Sequence, residues 1–136
     1  MSSPLAPVTG IDHLVLTCAS VAATAAWYAK YLGMTPQTFA SAADPATART
    51  ALLFGTHKIN LHQRGREFEP KAAAALPGTA DLCFLVDGAA DLEDVARGFR
   101  REGVEVLEGG CVVERTGARG RMRSVYVRDP DGNLIE

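Results

Sequence analysis

Asp129-Pro130-Asp131-Gly132-Asn133-Leu134-Ile135-Glu136 reads as a tight turn feeding a short apolar strand that ends in a carboxylate. Proline fixes φ in such a turn and glycine accepts a positive φ, so Asp129 and Asp131 are accounted for as turn formers without a catalytic role. Glu136 is left over. A comparable strand near the other end, Ile11-Asp12-His13-Leu14-Val15-Leu16, sets His13 among apolar neighbours, where a merely solvated side chain is out of place. Two potential metal ligands therefore stand on strands at opposite ends of the chain.

What lies between these strands is a repeated order of elements. The first strand, Ile11 to Cys18, is followed by Ser20 as an N-cap and by Val21, Thr24, Ala25, Tyr28 and Leu32 at helical spacing, with Gly33 as the C-cap. Trp27 and Tyr28 read as helix packing. Extended segments follow over Thr35 to Ala40, Thr47 to Phe54 and Lys58 to Gln63, the last two joined by a turn that carries a solvated His57. After a connector, Arg64 to Gly78, the order restarts with a strand from Asp81 to Val86 and a helix from about Ala90 to Arg101. Strands at Val104 to Leu107, Met122 to Arg128 and Leu134 to Glu136 complete it. The reading is α+β: one domain over residues 1–136, made of two βαβββ modules at about 10–63 and 80–136 that form a cupped mixed sheet.

Superposing the modules sets His13 on Asp81 and Asn60 on Glu136. Strand alternation then separates the two faces of the sheet. One carries His13, Val15, Thr17, Asn60, His62, Asp81, Cys83, Ser124 and Tyr126, and the other Leu14, Leu16, Ile59, Leu61, Leu82, Phe84, Val125 and Val127. The apolar face packs on the helices, leaving the polar face as a concave cup.

Composition limits what such a cup can serve. With 136 residues, 47% of them apolar, the chain can bury a real core. A net charge of -2 without a basic stripe argues against nucleic acid and for a small-molecule substrate. Cys18, Cys83 and Cys111 form no Cys-x-x-Cys pair, which fits a reduced, cytoplasmic protein. Residues 1–10 have no signal-peptide character, and no apolar run is long enough to span a bilayer.

The strand-borne His13, the βαβββ duplication and the Asp-Pro-Asp-Gly-Asn-Leu-Ile-Glu ending resemble the vicinal oxygen chelate superfamily of glyoxalase I, fosfomycin-resistance thiol transferases, extradiol dioxygenases and bleomycin-resistance proteins. Phe54-Gly55, Asn60-Leu61-His62, Glu67-Phe68-Glu69-Pro70-Lys71-Ala72-Ala73 and Arg115-Thr116-Gly117-Ala118 look most like a branch of small glyoxalase-domain-containing proteins related to a bacterial virulence-associated protein.

The resemblance implies metal ligands on the first and fourth strand of each module, here His13, Asn60, Asp81 and Glu136. Neutral Asn60 is a poor ligand for zinc or nickel. His62 lies two residues on and shares its face, so His13, His62, Asp81 and Glu136 become the expected set, able to hold Zn, Ni, Mn, Fe or Co.

The chemistry implied is that of a lyase or isomerase resembling glyoxalase I, acting on an α-oxygenated carbonyl compound such as a glutathione hemithioacetal. Glu136 would be the base and Tyr126 a hydrogen-bond partner to a substrate oxygen. The alternatives are an iron-dependent dioxygenase using His13, His62 and a carboxylate, and a metal-free drug-binding protein. Loop residues Lys71, Arg115 or Arg119 could meet an anionic group. The resemblance also implies a homodimer with sites completed across the interface.

Overall fold

A computed structural model describes residues 2–40, 42 and 46–136. The first module has the expected order: β1 (Leu14–Cys18), α1 (Val21–Leu32), β2 (Thr35–Ala40), β3 (Ala48–Phe54) and β4 (His57–Gln63), arranged as one sheet in the order β1-β4-β3-β2. β1 runs parallel to β4, and the other pairs are antiparallel. Both caps of α1 form as the sequence indicates. Ser20 Oγ accepts from Ala23 N at 3.1 Å, and Gly33 takes the left-handed conformation at φ 67°.

The second module repeats the theme in shorter strands. It consists of β5 (Asp81–Leu82), α2 (Leu92–Arg101), β6 (Val113–Gly117), β7 (Gly120–Ser124), β8 (Val127–Arg128) and β9 (Leu134–Ile135). The sheet β5-β9-β8 again sets the module's first strand parallel to its last, and β6 and β7 form a separate hairpin. The fold is mixed α+β, as expected.

The expected strands need correction, first because Met122 to Arg128 is not one strand but divides between β7 and β8, which lie in different sheets. Val104–Leu107 is not a strand; Val106 turns into the core at 6% exposure, and Leu107 N donates to Tyr126 O at 2.9 Å. The Gly- and Arg-rich segment 109–120, expected as a loop, supplies β6 and the hairpin turn instead. Only Asp81 and Leu82 of the strand expected over Asp81 to Val86 lie in the regular ladder, although Phe84 N still donates to Glu136 O at 2.8 Å.

A single apolar core joins the modules. Leu16, Cys18, Tyr28, Leu52, Ile59 and Leu61 from the first cluster with Ala96, Phe99, Val106, Val127 and Ile135 from the second. Burial pushes the Cys18 thiol up to about 11, so it behaves as an inert apolar group. Across the helices, Tyr31 meets Phe99 with ring centroids 5.8 Å apart.

The closing turn adds a polar clasp. Tyr28 Oη donates to Asp129 Oδ2 at 2.8 Å, Ala19 N to Asp131 Oδ1 at 3.0 Å, and Ala80 N to Asn133 Oδ1 at 2.9 Å. The Asp-Pro-Asp-Gly-Asn segment therefore ties the last strand to α1 and to the entry of β5.

Gly78 makes that close approach possible. It sits at φ +80°, and a Cβ there would lie 2.5 Å from the backbone oxygen of Asp131. Gly78→Ala should therefore cost roughly 1–3 kcal/mol through strain and backbone displacement. Gly10→Ala, where a Cβ meets nothing within 4 Å, should leave the thermal midpoint unchanged. Equal midpoints for the two variants would remove this account of Gly78.

Candidate active site

The concave face of the first module is a grid set by strand register. One row runs Thr17, His62, Arg49, Phe39: Thr17 pairs with His62 and Phe39 with Arg49, while Arg49 stands one step beyond the Thr50–Leu61 pair and so opposite His62. The next row runs Val15, Asn60, Ala51, Gln37. His13 precedes β1 and extends the grid by one further row.

His13 is more open than its apolar neighbours suggest. Its side chain is 42% exposed, and Nδ1 lies 2.7 Å from Asp12 Oδ1. A carboxylate on Nδ1 fixes the ring orientation and directs Nε2 outward, a common arrangement for imidazoles that ligate metals. The Oδ1 atom of Asn60 is buried and has no hydrogen-bond partner among the described residues, an unusual state for an amide oxygen.

Register separates His62 from His13. His62 faces Thr17, four residues along β1 from His13, or roughly 13 Å of strand. Asn60 faces Val15 and lies one row closer. His62 instead joins a different cluster, packing edge-on against Phe68 with centroids 5.2 Å apart. The Arg49 guanidinium lies over that same Phe68 ring at 3.8 Å. Burial, and then the Arg49 charge, lower the His62 pKa despite the opposing pull of Glu67, so the imidazole is neutral in ordinary buffers.

The second module presents a carboxylate among donors. Ser124 Oγ donates to Glu136 Oε2 at 2.6 Å. Burial works to raise the Glu136 carboxyl, but hydrogen bonds from Ser124, Tyr126 and Cys83, with the Arg115 charge nearby, hold it below the ordinary glutamate range. Tyr126 responds in the opposite sense: burial and its bond to Glu136 raise the phenol. Arg115 lies 5.4 Å from the Tyr126 ring centroid. Asp81 is exposed and lies two residue pairs along the β5–β9 register from Glu136, which falls opposite Cys83.

The four side chains expected to hold a metal thus fall into two groups. His13 and His62 belong to the first sheet, Asp81 and Glu136 to the second. Among the described residues, no group of three or more His, Cys, Asp or Glu is close enough to hold an ion. His13 and Glu136 do line one shared cleft of about 890 Å³, but Tyr31, Phe54, Phe84 and Phe99 make much of its wall, and Asn60, His62 and Asp81 are not part of it.

Residues 10–136 match the family model for the glyoxalase/bleomycin resistance protein/dioxygenase superfamily. The chain belongs to this superfamily. Among vicinal oxygen chelate proteins it is 48% identical to virulence protein STM3117 of Salmonella typhimurium over 126 residues, which cover 93% of this chain and 81% of that protein. It is 46% identical to the glyoxalase domain-containing protein RDO1 of Mycosarcoma maydis over 129 residues, 95% of this chain and 67% of that one. A structure from the mobile metagenome of V. Pseudocholerae superposes with a TM-score of 0.83 at 48% identity, covering 96% and 94% of the two chains. At the level of fold alone, lactoylglutathione lyase from Agrobacterium tumefaciens aligns with a TM-score of 0.63 at 21% identity, covering 96% and 92%. Superfamily membership brings metalloenzymes and small-molecule binding into view. Among the described residues, no helix is long and apolar enough to cross a membrane.

Sequence reasoning missed Arg49. A charged residue inside a strand reads as solvated, and the available signal was its place on the face of Ala51 and His62, opposite the buried Leu52.

Proposed function

We propose that this chain is a divalent-metal-dependent lyase or isomerase acting on a small α-oxygenated carbonyl compound, and that each site is assembled from two copies of the chain. The carrying observation is the division of donors into two half-sites, His13 with Asn60 on one sheet and Asp81 with Glu136 on the other. Neither half can saturate an ion by itself. The donors fit a metal as a set: one imidazole, two carboxylates and the unpartnered amide oxygen of Asn60 favour an ion that accepts oxygen ligands, such as Mn(II) or Fe(II), over zinc.

Support for pairing comes from the surface around the half-sites. β1 and β5 are edge strands, and exposed apolar side chains cluster beside them: Ile11, Leu14 and Val15 at 74%, 40% and 46%, with Leu85 and Val86 after β5. Edges of this kind invite another chain, and a homodimer covers them.

A bound divalent ion would supply Lewis acidity toward two neighbouring substrate oxygens. Glu136, ionised and held by Ser124, is the base that takes a carbon-bound proton on Oε1 or Oε2. Tyr126 keeps its proton, and its hydroxyl, which donates to Glu136 in the free chain, turns to a substrate oxygen when one is bound. The register that sets His62 apart from His13 weighs against the dioxygenase triad.

Protein purified without chelators should contain about one divalent ion per chain by elemental analysis. His13→Ala and Glu136→Ala should each abolish it. Metal retained in both variants would sink the half-site assignment.

A second reading is favoured by the aromatic-walled cleft, whose 890 Å³ is in the range of small-molecule sites. In that reading the chain sequesters an apolar compound without metal. Saturable binding of a hydrophobic dye, weakened by Phe99→Ala and indifferent to His13→Ala, would support it.

A further inference from the structure

We infer that Arg49, with His62 beside it, is a recognition site for an oxyanion carried by the substrate, so that the compound handled here is an acid: a carboxylate or a phosphoryl or phosphonyl group joined to the α-oxygenated carbonyl. The substrate assignment rests on the proposed metal half-sites; the anion site itself does not.

The geometry is that of a built site. Arg49 stands near the start of the inner strand β3, on the face it shares with Ala51 and His62, and its Nε is buried without a hydrogen-bond partner among the described residues. The Phe68 ring, 3.8 Å from the guanidinium carbon, supports one face of the guanidinium and pre-orients the planar donor fork. No carboxylate among the described residues is in ion-pair contact with Arg49. The nearby Glu67 accepts from Gly65 N at 3.1 Å and faces Lys71 at 4.0 Å, so its charge is engaged within its own loop.

A buried donor of a permanently charged group is costly unless an acceptor arrives. A carboxylate or phosphoryl oxygen pair matches the guanidinium fork in both charge and spacing. Asn60 opposes Ala51 and is a diagonal neighbour of Arg49 at roughly 7–8 Å, so an acid group held by Arg49 lies on the Asn60 side of the sheet, with His13 a further row away. Arg49 is a specificity residue on this account, and Glu136 remains the only base.

Calorimetric titration of the full-length, chelator-treated chain with glycolate and with inorganic phosphate tests the inference without needing a substrate. Wild type should bind at least one of the two, with an affinity that falls as sodium chloride rises. Arg49→Met should weaken binding at least about tenfold, and Arg49→Lys several-fold, because lysine keeps the charge but loses the fork. The Lys variant also covers the case in which the Met variant does not fold. His13→Ala and Glu136→Ala should bind as wild type. The tighter of the two anions names the acid class. Absence of binding by wild type, or equal binding by folded Arg49→Met or Arg49→Lys, would overturn the inference. Because Arg49→Met should still take up its divalent ion, failure here is distinguishable from failure of the metal assignment.

Discussion

Mixing His13→Ala protein with Glu136→Ala protein, each metal-free alone, should restore metal binding to about a quarter of the wild-type level after subunit exchange. The arithmetic follows from the division of donors. If each site takes His13 and Asn60 from one copy and Asp81 and Glu136 from the other, a mixed dimer gathers both defects in one site. The second site is then intact. Random exchange makes half of the dimers mixed, and each regains one site of two. If sites were built within single chains, every site in the mixture would carry one defect and no metal would return.

Elemental analysis after co-refolding, with separate affinity tags to isolate the mixed species, gives the answer directly. A mixed dimer without metal, formed from two folded variants, would rule out the two-copy site. A wild-type chain that stays monomeric at every concentration tested would rule it out more simply. The effect is large because ligand loss at a four-donor site costs more than the remaining donors can recover.

The modules were legible because each carries its own punctuation. Ser20 and Gly33 delimit α1, the helical spacing of Leu92, Val95, Ala96 and Phe99 marks α2, and both first strands read as apolar runs. The β6–β7 hairpin was not legible. Val113-Glu114-Arg115-Thr116-Gly117 is polar on both faces, and its pairing with Gly120–Ser124 rests on backbone bonds and the turn rather than on an apolar face.

Alternation along a strand told which residues share a face, and it correctly set Asn60 with His62. It could not tell which of them lies nearer His13. That depends on the β1–β4 register, where Val15 meets Asn60 and Thr17 meets His62. Nor could it tell which of these side chains share a cleft, as His13 and Glu136 do, because the packing of one module on another is decided by helices and by the closing turn. Glu136 stood out in the sequence because a carboxylate ending an apolar strand has no structural excuse. Arg49 was hidden because arginine in a strand usually has one.

Asp129→Ala should be the most destabilising of the substitutions considered, by roughly 3–5 kcal/mol, large against the 5–15 kcal/mol that hold a domain of this size together. Asp129 is 5% exposed, and its two oxygens accept four hydrogen bonds. Oδ1 takes Asp131 N and Asn133 N, both at 2.9 Å; Oδ2 takes Tyr28 Oη at 2.8 Å and Asn133 Nδ2 at 2.7 Å. Alanine would strand two buried side-chain donors and two backbone amides at once, each costing about 1–3 kcal/mol if water cannot reach it. Tyr28 is fully buried, and burial together with Asp129 holds its hydroxyl far above the usual phenol range, so the proton cannot leave to relieve the defect. Tyr28→Phe removes one donor and its need for an acceptor together, and should cost only about 1 kcal/mol. The double variant Tyr28→Phe/Asp129→Ala should therefore be less destabilised than the sum of the singles. Urea denaturation followed by far-UV circular dichroism measures all three. An Asp129→Ala midpoint close to that of Tyr28→Phe would show that the clasp contributes little, and that the apolar contact of Tyr31 with Phe99 is enough to hold the two modules together.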